Sequence, residues 1–257
     1  RPSLMTPTLC LLHIRSSLRH SDFFRFDHNA MKPIVITIDG PSGAGKSSVS
    51  HRLAERLGYY HLDSGALYRV AAFEARARGI DDSDDSALQN LCDTLDISFR
   101  MEGGVPRILS SGRDMTDLIR TPEISMLASR ISTRKVVRDC VTALQRKLGE
   151  KTNLVLEGRD AGTVVFPQAQ VKFFLNASPQ ERGRRRYHEL LEKGLAVRIE
   201  EVTAEIIQRD HNDTSRQHAP LAPAEDAVVI DSTAMTIEEV IDTMVEVIEF
   251  KSPRGYN

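Results

Sequence analysis

Residues 34–48 read IVITIDGPSGAGKSS, and this stretch decides the fold class. The β-branched run at 34–38 predicts a strand that is buried on both faces. Residues 40–47 then fit the pattern G-x-x-x-x-G-K-S/T and lead into a predicted helix at about 47–57. A strand, a glycine-rich turn and a helix in this order predict a binding site for the phosphates of a nucleoside triphosphate.

Each residue type in this loop suits phosphate binding. The glycines let successive backbone N–H groups point inward, and the helix adds the positive end of its dipole. Lys46 supplies a charge for the β- and γ-phosphates, and the Ser47 hydroxyl is suited to Mg²⁺. The predicted loop residues are Gly40, Pro41, Ser42, Gly43, Ala44, Gly45, Lys46 and Ser47. Kinases, GTPases and ATPase motors are all compatible with the loop alone.

Length and composition exclude several other classes of protein. The 257 residues hold 34 Lys and Arg against 36 Asp and Glu, a net charge of −2, which argues against a surface that coats nucleic acid. No stretch of about 18 apolar residues occurs, so we expect no membrane span. Cys10, Cys92 and Cys140 are scattered, which favours a reducing cytoplasm over a disulfide framework.

Strands and helices alternate along the rest of the chain. Further strands are predicted at 59–62, 154–156, 171–175 and 228–230. Further helices are predicted at 66–78, 86–94, 122–131, 134–149, 179–193, 200–212 and 236–249. This alternation predicts a parallel sheet with right-handed crossovers, that is, an α/β fold. Residues 96–114 instead predict short strands joined by a turn at Gly103-Gly104.

Residues 1–30 lack this pattern. We interpret them as an extension upstream of a start at Met31, and a targeting peptide is the alternative.

Arginines crowd the start of the helix predicted at 179–193: Arg182, Arg184, Arg185 and Arg186. Guanidinium groups match the oxygens of a transferring phosphoryl group, so the cluster predicts charge stabilisation rather than a solvated helix face. No guanine-recognition segment of the N/T-K-x-D type occurs, which weakens a GTPase interpretation.

Polar clusters also follow the second and third strands. After the second strand, Asp63 is suited to hold a magnesium-bound water, while Ser64, Tyr68 and Arg69 are suited to face an acceptor. A helix cap by Asp63 or Ser64 is compatible with either role.

Arg159 and Asp160 close the third strand, where doubly wound sheets bind their ligands; a surface ion pair is the alternative. Arg209, Asp213 and Arg216 are spaced to share one helical face, as substrate ligands or as a mutual helix pair.

Six segments together resemble the bacterial cytidylate kinases. In chain order they read ITIDGPSGAGKSS, LDSGALYR, IRTPE, EGRDAGTVVFP, ERGRRR and RDHNDTSRQHAPL. The resemblance implies a three-layer P-loop NTPase fold with a parallel core sheet, formed by one domain at 31–252 with a tail at 253–257. It also implies an acceptor-binding insert at about 64–150 with a small antiparallel sheet, and an Arg-rich lid at about 178–194.

The resemblance further implies roles for individual residues. It extends the ATP loop to Ser48, assigns cytosine recognition to Arg120 and Asp160, and assigns sugar binding to Asp213 with Arg209. Arg69, Arg159 and Arg216 would reach the acceptor phosphate. The expected acceptor contacts are Ser64, Tyr68, Arg69, Arg120, Arg159, Asp160, Arg209, Asp213 and Arg216. The expected catalytic residues are Lys46, Arg159, Arg182, Arg185 and Arg186.

The sequence therefore predicts that a cytoplasmic monomer uses ATP and Mg²⁺ to phosphorylate CMP or dCMP, with Ser47 and an Asp63-bound water at the metal. We expect no nucleic-acid or membrane partner. A P-loop kinase for another small acceptor, such as uridylate, shikimate or dephospho-coenzyme A, is the nearest alternative. A nucleotide-sensing module without turnover is the alternative from another class.

Overall fold

The computed structural model describes residues 33–102, 105–192, 194–216 and 218–251. The strands are β1 (Val35–Asp39), β2 (Tyr60–Asp63), β3 (Ile97–Glu102), β4 (Val105–Ser110), β5 (Arg113–Asp114), β6 (Leu154–Gly158), β7 (Val171–Asn176) and β8 (Val228–Asp231). Five of them form a sheet in the order β2-β6-β1-β7-β8, and every neighbouring pair is parallel. The predicted parallel sheet is confirmed.

The helices follow the predicted positions to within a few residues. They are α1 (Lys46–Leu57), α2 (Ser64–Ala77), α3 (Asp85–Thr94), α4 (Pro122–Ile131), α5 (Lys135–Gly149), α6 (Pro179–Glu192), α7 (Ile199–Thr214) and α8 (Ile237–Lys251). Sequence patterns missed a short π-helix at Ala161–Val165, directly after β6. Because this turn is too short to show a helical period, only the three-dimensional structure reveals it.

Two hydrophobic cores enclose the central sheet, one on each face. Along β1, Val35 faces the core built with α2 and α5, whereas Ile36 and Ile38 face the core built with α1 and α8. All five residues of β1 are buried, which explains the continuous β-branched run in its sequence. The helix–sheet–helix arrangement confirms the three-layer fold.

A second, antiparallel sheet of β3, β4 and β5 lies between α3 and α4 in the chain, as the insert prediction requires. The predicted turn at Gly103-Gly104, the extension at 1–30 and the tail at 253–257 lie outside the described residues. Within the described part of the chain, no helix is both long and apolar enough to cross a membrane.

Candidate active site

The loop at 40–47 connects β1 to α1, where the sequence predicted it. A Cβ on Gly40 would lie 2.0 Å from the Leu175 carbonyl oxygen, so only glycine lets the loop pack against β7. No side chain caps the first turn of α1, whereas the Asp84 carboxylate caps α3 by accepting from two backbone N–H groups. An uncapped helix start beside a glycine-rich loop is suited to bind phosphate.

Lys46 is a buried cation at the start of α1. Its Nζ donates a hydrogen bond to the Pro41 carbonyl oxygen at 2.6 Å. Burial lowers the pKa of Lys46 well below its usual value, and the positive charges of Arg159 and Arg209 lower it further, while Glu157 opposes the shift. A bound anion would relieve this accumulated positive charge.

Ser47 pairs with a carboxylate that the sequence analysis did not assign to the site. Its Oγ donates to Glu157 Oε2 at 2.8 Å, and the other buried carboxylate oxygen, Oε1, makes no hydrogen bond and lies 3.3 Å from His61 Nε2. Asp63, which the sequence assigned to a metal-bound water, accepts a hydrogen bond from Arg69 on Oδ2 at 2.6 Å. A hydroxyl beside a carboxylate whose other oxygen makes no hydrogen bond fits the ligand preference of Mg²⁺.

A sequence signal for Glu157 did exist. It is the next-to-last residue of an otherwise apolar strand, β6, whose neighbour β1 leads into the loop, and the two strands pair Ile38 with Glu157. The strand order that makes them neighbours is a property of the tertiary structure.

Two arginines contact one buried carboxylate, and two more, Arg209 and Arg69, lie within electrostatic range of this cluster. Asp213 is 1% exposed and accepts a hydrogen bond from Arg159 at 2.9 Å on one oxygen and from Arg216 on the other. Arg209 reaches solvent, yet desolvation by the surrounding protein and the Arg159 charge lower its pKa to about 10, with smaller contributions from Arg69 and Arg216. Neighbouring cations disfavour one another's charged forms, and a bound anion would offset this repulsion. The cluster is therefore an anion site that is assembled before the ligand arrives.

Asp160 lies in a buried ion pair with Arg138 of α5. Burial raises the pKa of Asp160, although the Arg138 guanidinium opposes the shift. Arg138 also donates to the Ser132 carbonyl oxygen at 3.2 Å, which fixes its direction. Burial raises the pKa of Tyr68 to about 12, and Arg138, Asp160 and Arg216 all act on it. The predicted residues Tyr68 and Asp160 are thus brought together.

Arg120, the predicted partner of Asp160 in base recognition, has a different environment. It is exposed and donates to the Thr116 carbonyl oxygen at 3.2 Å. Among the described residues, the cation paired with Asp160 is Arg138.

Gln145 is a second α5 residue that sequence reasoning missed. Its Nε2 donates to Ser64 Oγ at 2.5 Å, and its buried Oε1 has no hydrogen bond. Arg138 and Gln145 are seven residues apart and therefore share one helical face. Both are buried, beside Val137 and Val141. Polar residues on the buried face of an amphipathic helix were the available signal.

The three predicted lid arginines occupy different environments. Arg182 is buried, donates to the Ala177 and Ser42 carbonyl oxygens at 2.9 and 3.0 Å, and pairs with Asp210 at 2.6 Å. Arg182 therefore supports the phosphate loop through its hydrogen bond to the Ser42 backbone.

Arg185 binds the Ser232 carbonyl oxygen at 2.6 Å and Glu181 at 2.9 Å. Its guanidinium lies 3.8 Å from the position that a Cβ on Gly45 would take, so it borders the loop. Arg186 is exposed and pairs with Glu189 at 2.6 Å.

Known proteins match this chain over most of its length. The family model described as cytidylate kinase matches residues 36–250. The chain is 51% identical over 222 residues to the cytidylate kinase of Geobacter sp. (strain M21), covering 86% of this chain and 95% of that protein. It is 52% identical over 215 residues to the cytidylate kinase of Geobacter sulfurreducens, covering 84% and 92%, respectively. It is 47% identical over 209 residues to cytidylate kinase 1 of Haemophilus influenzae, covering 81% and 90%. With the phosphate loop and the arginine cluster in the order that the sequence predicted, the chain belongs to the cytidylate kinase family.

Proposed function

We propose which residues of this chain carry out the reaction of its family, the phosphorylation of CMP or dCMP by ATP. Residues 40–48 bind the ATP phosphates, and the arginines around Asp213 bind the acceptor phosphate. One observation carries the proposal: β1 and β6 are neighbouring parallel strands that pair Asp39 with Gly158, so the donor loop after β1 and Arg159 of the acceptor cluster leave the sheet side by side. The charges of Arg159 and Arg209 also act on Lys46 of the donor loop. The two anion sites are therefore close enough to bring two polyanions together.

The transfer needs little covalent chemistry from the protein. An oxygen of the CMP phosphate attacks the γ-phosphorus of ATP in line, a new P–O bond forms, and the bond to the β–γ bridging oxygen breaks. ADP leaves with that electron pair, and no proton needs to be removed from an ionised acceptor. Lys46 and Arg159, a cation of the acceptor cluster, neutralise the charge that spreads over the oxygens.

The Arg138–Asp160 pair recognises the base. Cytosine presents an amino group that donates hydrogen bonds and ring atoms that accept them. The Asp160 carboxylate accepts from the amino group, and Arg138 donates to the acceptor atoms. Ser64 and Tyr68 line the same region, while Asp213 acts mainly by holding Arg159 and Arg216 in place.

Arg69, Arg159, Arg209 and Arg216 form the phosphate-binding part of the acceptor site. Asp63 orients Arg69 through their 2.6 Å hydrogen bond, and the contact to a metal-bound water that the sequence predicted for Asp63 stays part of the proposal.

Ser47 and Glu157 would hold Mg²⁺, directly or through water. The ion would supply positive charge between the phosphates of ATP. The support is the hydrogen bond between their side chains and the Glu157 Oε1 atom, which makes no hydrogen bond and has His61 Nε2 3.3 Å away.

The three predicted lid arginines have different roles in this proposal: Arg182, Arg185 and Arg186. Arg182 keeps the loop in shape through Ser42, and Arg185 lies beside the loop and adds positive charge there. Arg186 keeps the role that the resemblance implies. Closure of this region over the nucleotides would exclude water and limit hydrolysis of ATP.

The active protein is a monomer in this proposal, because donor and acceptor residues all come from one chain. Sedimentation at several concentrations tests it, and a dimer that persists on dilution would contradict it. A cytoplasmic location also belongs to the proposal, supported by the free thiols of Cys92 and Cys140.

An acceptor panel tests the function. ADP formation is followed with CMP, dCMP, UMP, AMP, shikimate and dephospho-coenzyme A, on the full chain and on a chain that starts at Met31. We expect both proteins to form ADP fastest with CMP or dCMP. Preference for another acceptor, or ADP formation that ignores the acceptor, would contradict the proposal.

A further inference from the structure

Asp39 is a buried carboxylate next to the phosphate loop to which the predicted site assigned no role. It ends β1, the central strand of the sheet, and is 3% exposed. Its Oδ1 accepts a hydrogen bond from the Ala161 backbone N–H at 2.8 Å, and its Oδ2 accepts one from the Gly162 N–H at 2.7 Å. Both oxygens are thus committed to the backbone of another segment.

That segment, residues 158–162, wraps closely around the carboxylate. A Cβ on Gly158 would lie 3.3 Å from Asp39 Oδ1. A Cβ on Gly162 would lie 2.8 Å from Thr37 Oγ1 and 3.4 Å from Asp39 Oδ2. Small residues at both ends of the segment are therefore needed for the backbone to approach β1 so closely.

Between these glycines lie two side chains of the acceptor site. Arg159 contacts Asp213, and Asp160 contacts Arg138. The π-helix begins directly after Asp160, and the two N–H groups that donate to Asp39 are those of its first two residues.

The carboxylate lies in an environment that disfavours its ionised form. Burial raises the pKa of Asp39 to about 6, while the hydrogen bonds from Gly162 and Ala161 and the charge of Lys46 oppose the rise, and the like charge of Asp160 adds to it. An apolar residue would avoid the cost of burying a carboxylate, but it would leave the Ala161 and Gly162 N–H groups without this acceptor.

We propose that Asp39 is a positioning residue that holds the 158–162 segment through two backbone hydrogen bonds and so presents Arg159 and Asp160 to the acceptor nucleotide. The donor loop begins one residue after Asp39, so a single residue joins the ATP-binding and CMP-binding parts of the site. The inference rests on the proposed function.

The first test is Asp39→Asn, whose amide keeps the shape but can accept from only one of the two N–H groups. Thr37→Val is the matched control: it lies on the same strand, and the hydroxyl that it removes is buried without a hydrogen bond. We expect Asp39→Asn to raise KM for CMP about tenfold or more and to lower the CMP-over-UMP ratio of kcat/KM, with KM for ATP within about threefold. The Thr37→Val enzyme should match the wild type.

Equal losses toward ATP and CMP, or an unchanged KM for CMP, would overturn the proposal. A wild-type protein that fails to phosphorylate CMP would instead contradict the proposed function, so the two failures are distinguishable.

A second pair of variants decides the matter if Asp39→Asn does not fold. Gly162→Ala places a methyl group against Thr37 Oγ1 and moves the segment off the carboxylate. We expect KM for CMP to rise about fivefold. Thr37→Ala removes the nearest obstruction, the hydroxyl, and leaves the end of the Lys172 side chain, whose Cδ would lie 3.2 Å from the new methyl group, to shift by a few tenths of an ångström. The double variant should therefore return to within about twofold of Thr37→Ala alone. No rise in Gly162→Ala, or no recovery in the double variant, would refute the positioning role.

Discussion

The donor and acceptor halves of the active site are built in different ways. The donor half comes from one contiguous stretch, residues 40–48, at a single strand-to-helix turn. The acceptor half combines Arg69 on α2, Arg138 on α5, Arg159 after β6 and Arg216 after α7. The first depends on local backbone geometry, and the second depends on charges brought together by the fold. A substitution in the donor half should therefore act mainly on chemistry, and one in the acceptor half on selectivity.

Lys46→Ala should have the largest effect, since it removes the buried cation of the donor half. We expect kcat/KM to fall by about 10³ or more, the scale of losing one charge stabiliser in phosphoryl transfer. Lys151→Ala, an exposed lysine after α5, is the control and should match the wild type. Steady-state kinetics with CMP measure both, and activity of Lys46→Ala within tenfold of the wild type would count against the donor site.

Arg182 and Arg186 test whether all predicted lid arginines act alike. Arg182→Met breaks a pair whose arginine is 4% exposed, so we expect the free energy of unfolding to fall by about 3 kcal/mol or more. Arg186→Met is the control, because the side chains of Arg186 and its partner Glu189 are 44% and 46% exposed. Here the free energy of unfolding should change by less than about 1 kcal/mol. Urea denaturation measures both, and equal losses would remove the distinction between a loop-supporting arginine and a surface arginine.

Asp39 lies between the donor and acceptor halves, and its buried carboxylate should make the free energy of unfolding depend on pH. Its pKa rises from 3.8 to about 6 on folding, so the native state binds the proton more tightly. The contribution of Asp39 to the free energy of unfolding is fully present below pH 3.8. It is lost as the pH rises through about 6, and the total loss is about 3 kcal/mol. The difference in unfolding free energy between wild type and Asp39→Asn, measured by urea denaturation from about pH 4 to 7, should fall accordingly. A difference that does not change with pH would contradict this.

Arg138 and Arg120 sharpen the assignment of base recognition within the acceptor half. Arg138→Lys keeps the charge but loses the planar fork, so the CMP-over-UMP ratio of kcat/KM should fall roughly 30-fold, about 2 kcal/mol. Arg120→Lys is the matched variant, and we expect a change below about threefold. A larger effect at Arg120 would restore the role that the sequence resemblance implied for it.

The sequence predicted the fold well because its signals are local. Strands such as 34–38 show continuous apolar runs, helices show their own period, and Thr121-Pro122 marks the start of α4, where the Thr121 hydroxyl accepts from the Ile124 N–H. The π-helix at Ala161–Val165 was missed because five residues are too few to show a helical period, and its hydrogen bonds to Asp39 join residues 122 and 123 positions apart.

The site was predicted unevenly for the same reason. Lys46 and Ser47 lie within a motif whose geometry is complete in the sequence itself. Arg138 and Glu157 have no such motif, and their roles follow from contacts with Asp160 and Ser47 across the fold.

The sequence by itself thus determined the α/β class, the donor loop and the family, because backbone conformation and hydrophobic period are encoded by neighbouring residues. Only the tertiary structure decided which charges face each other. Coulomb interactions depend on distance and burial, and the partner of Asp160 is 22 residues away while that of Ser47 is 110 residues away.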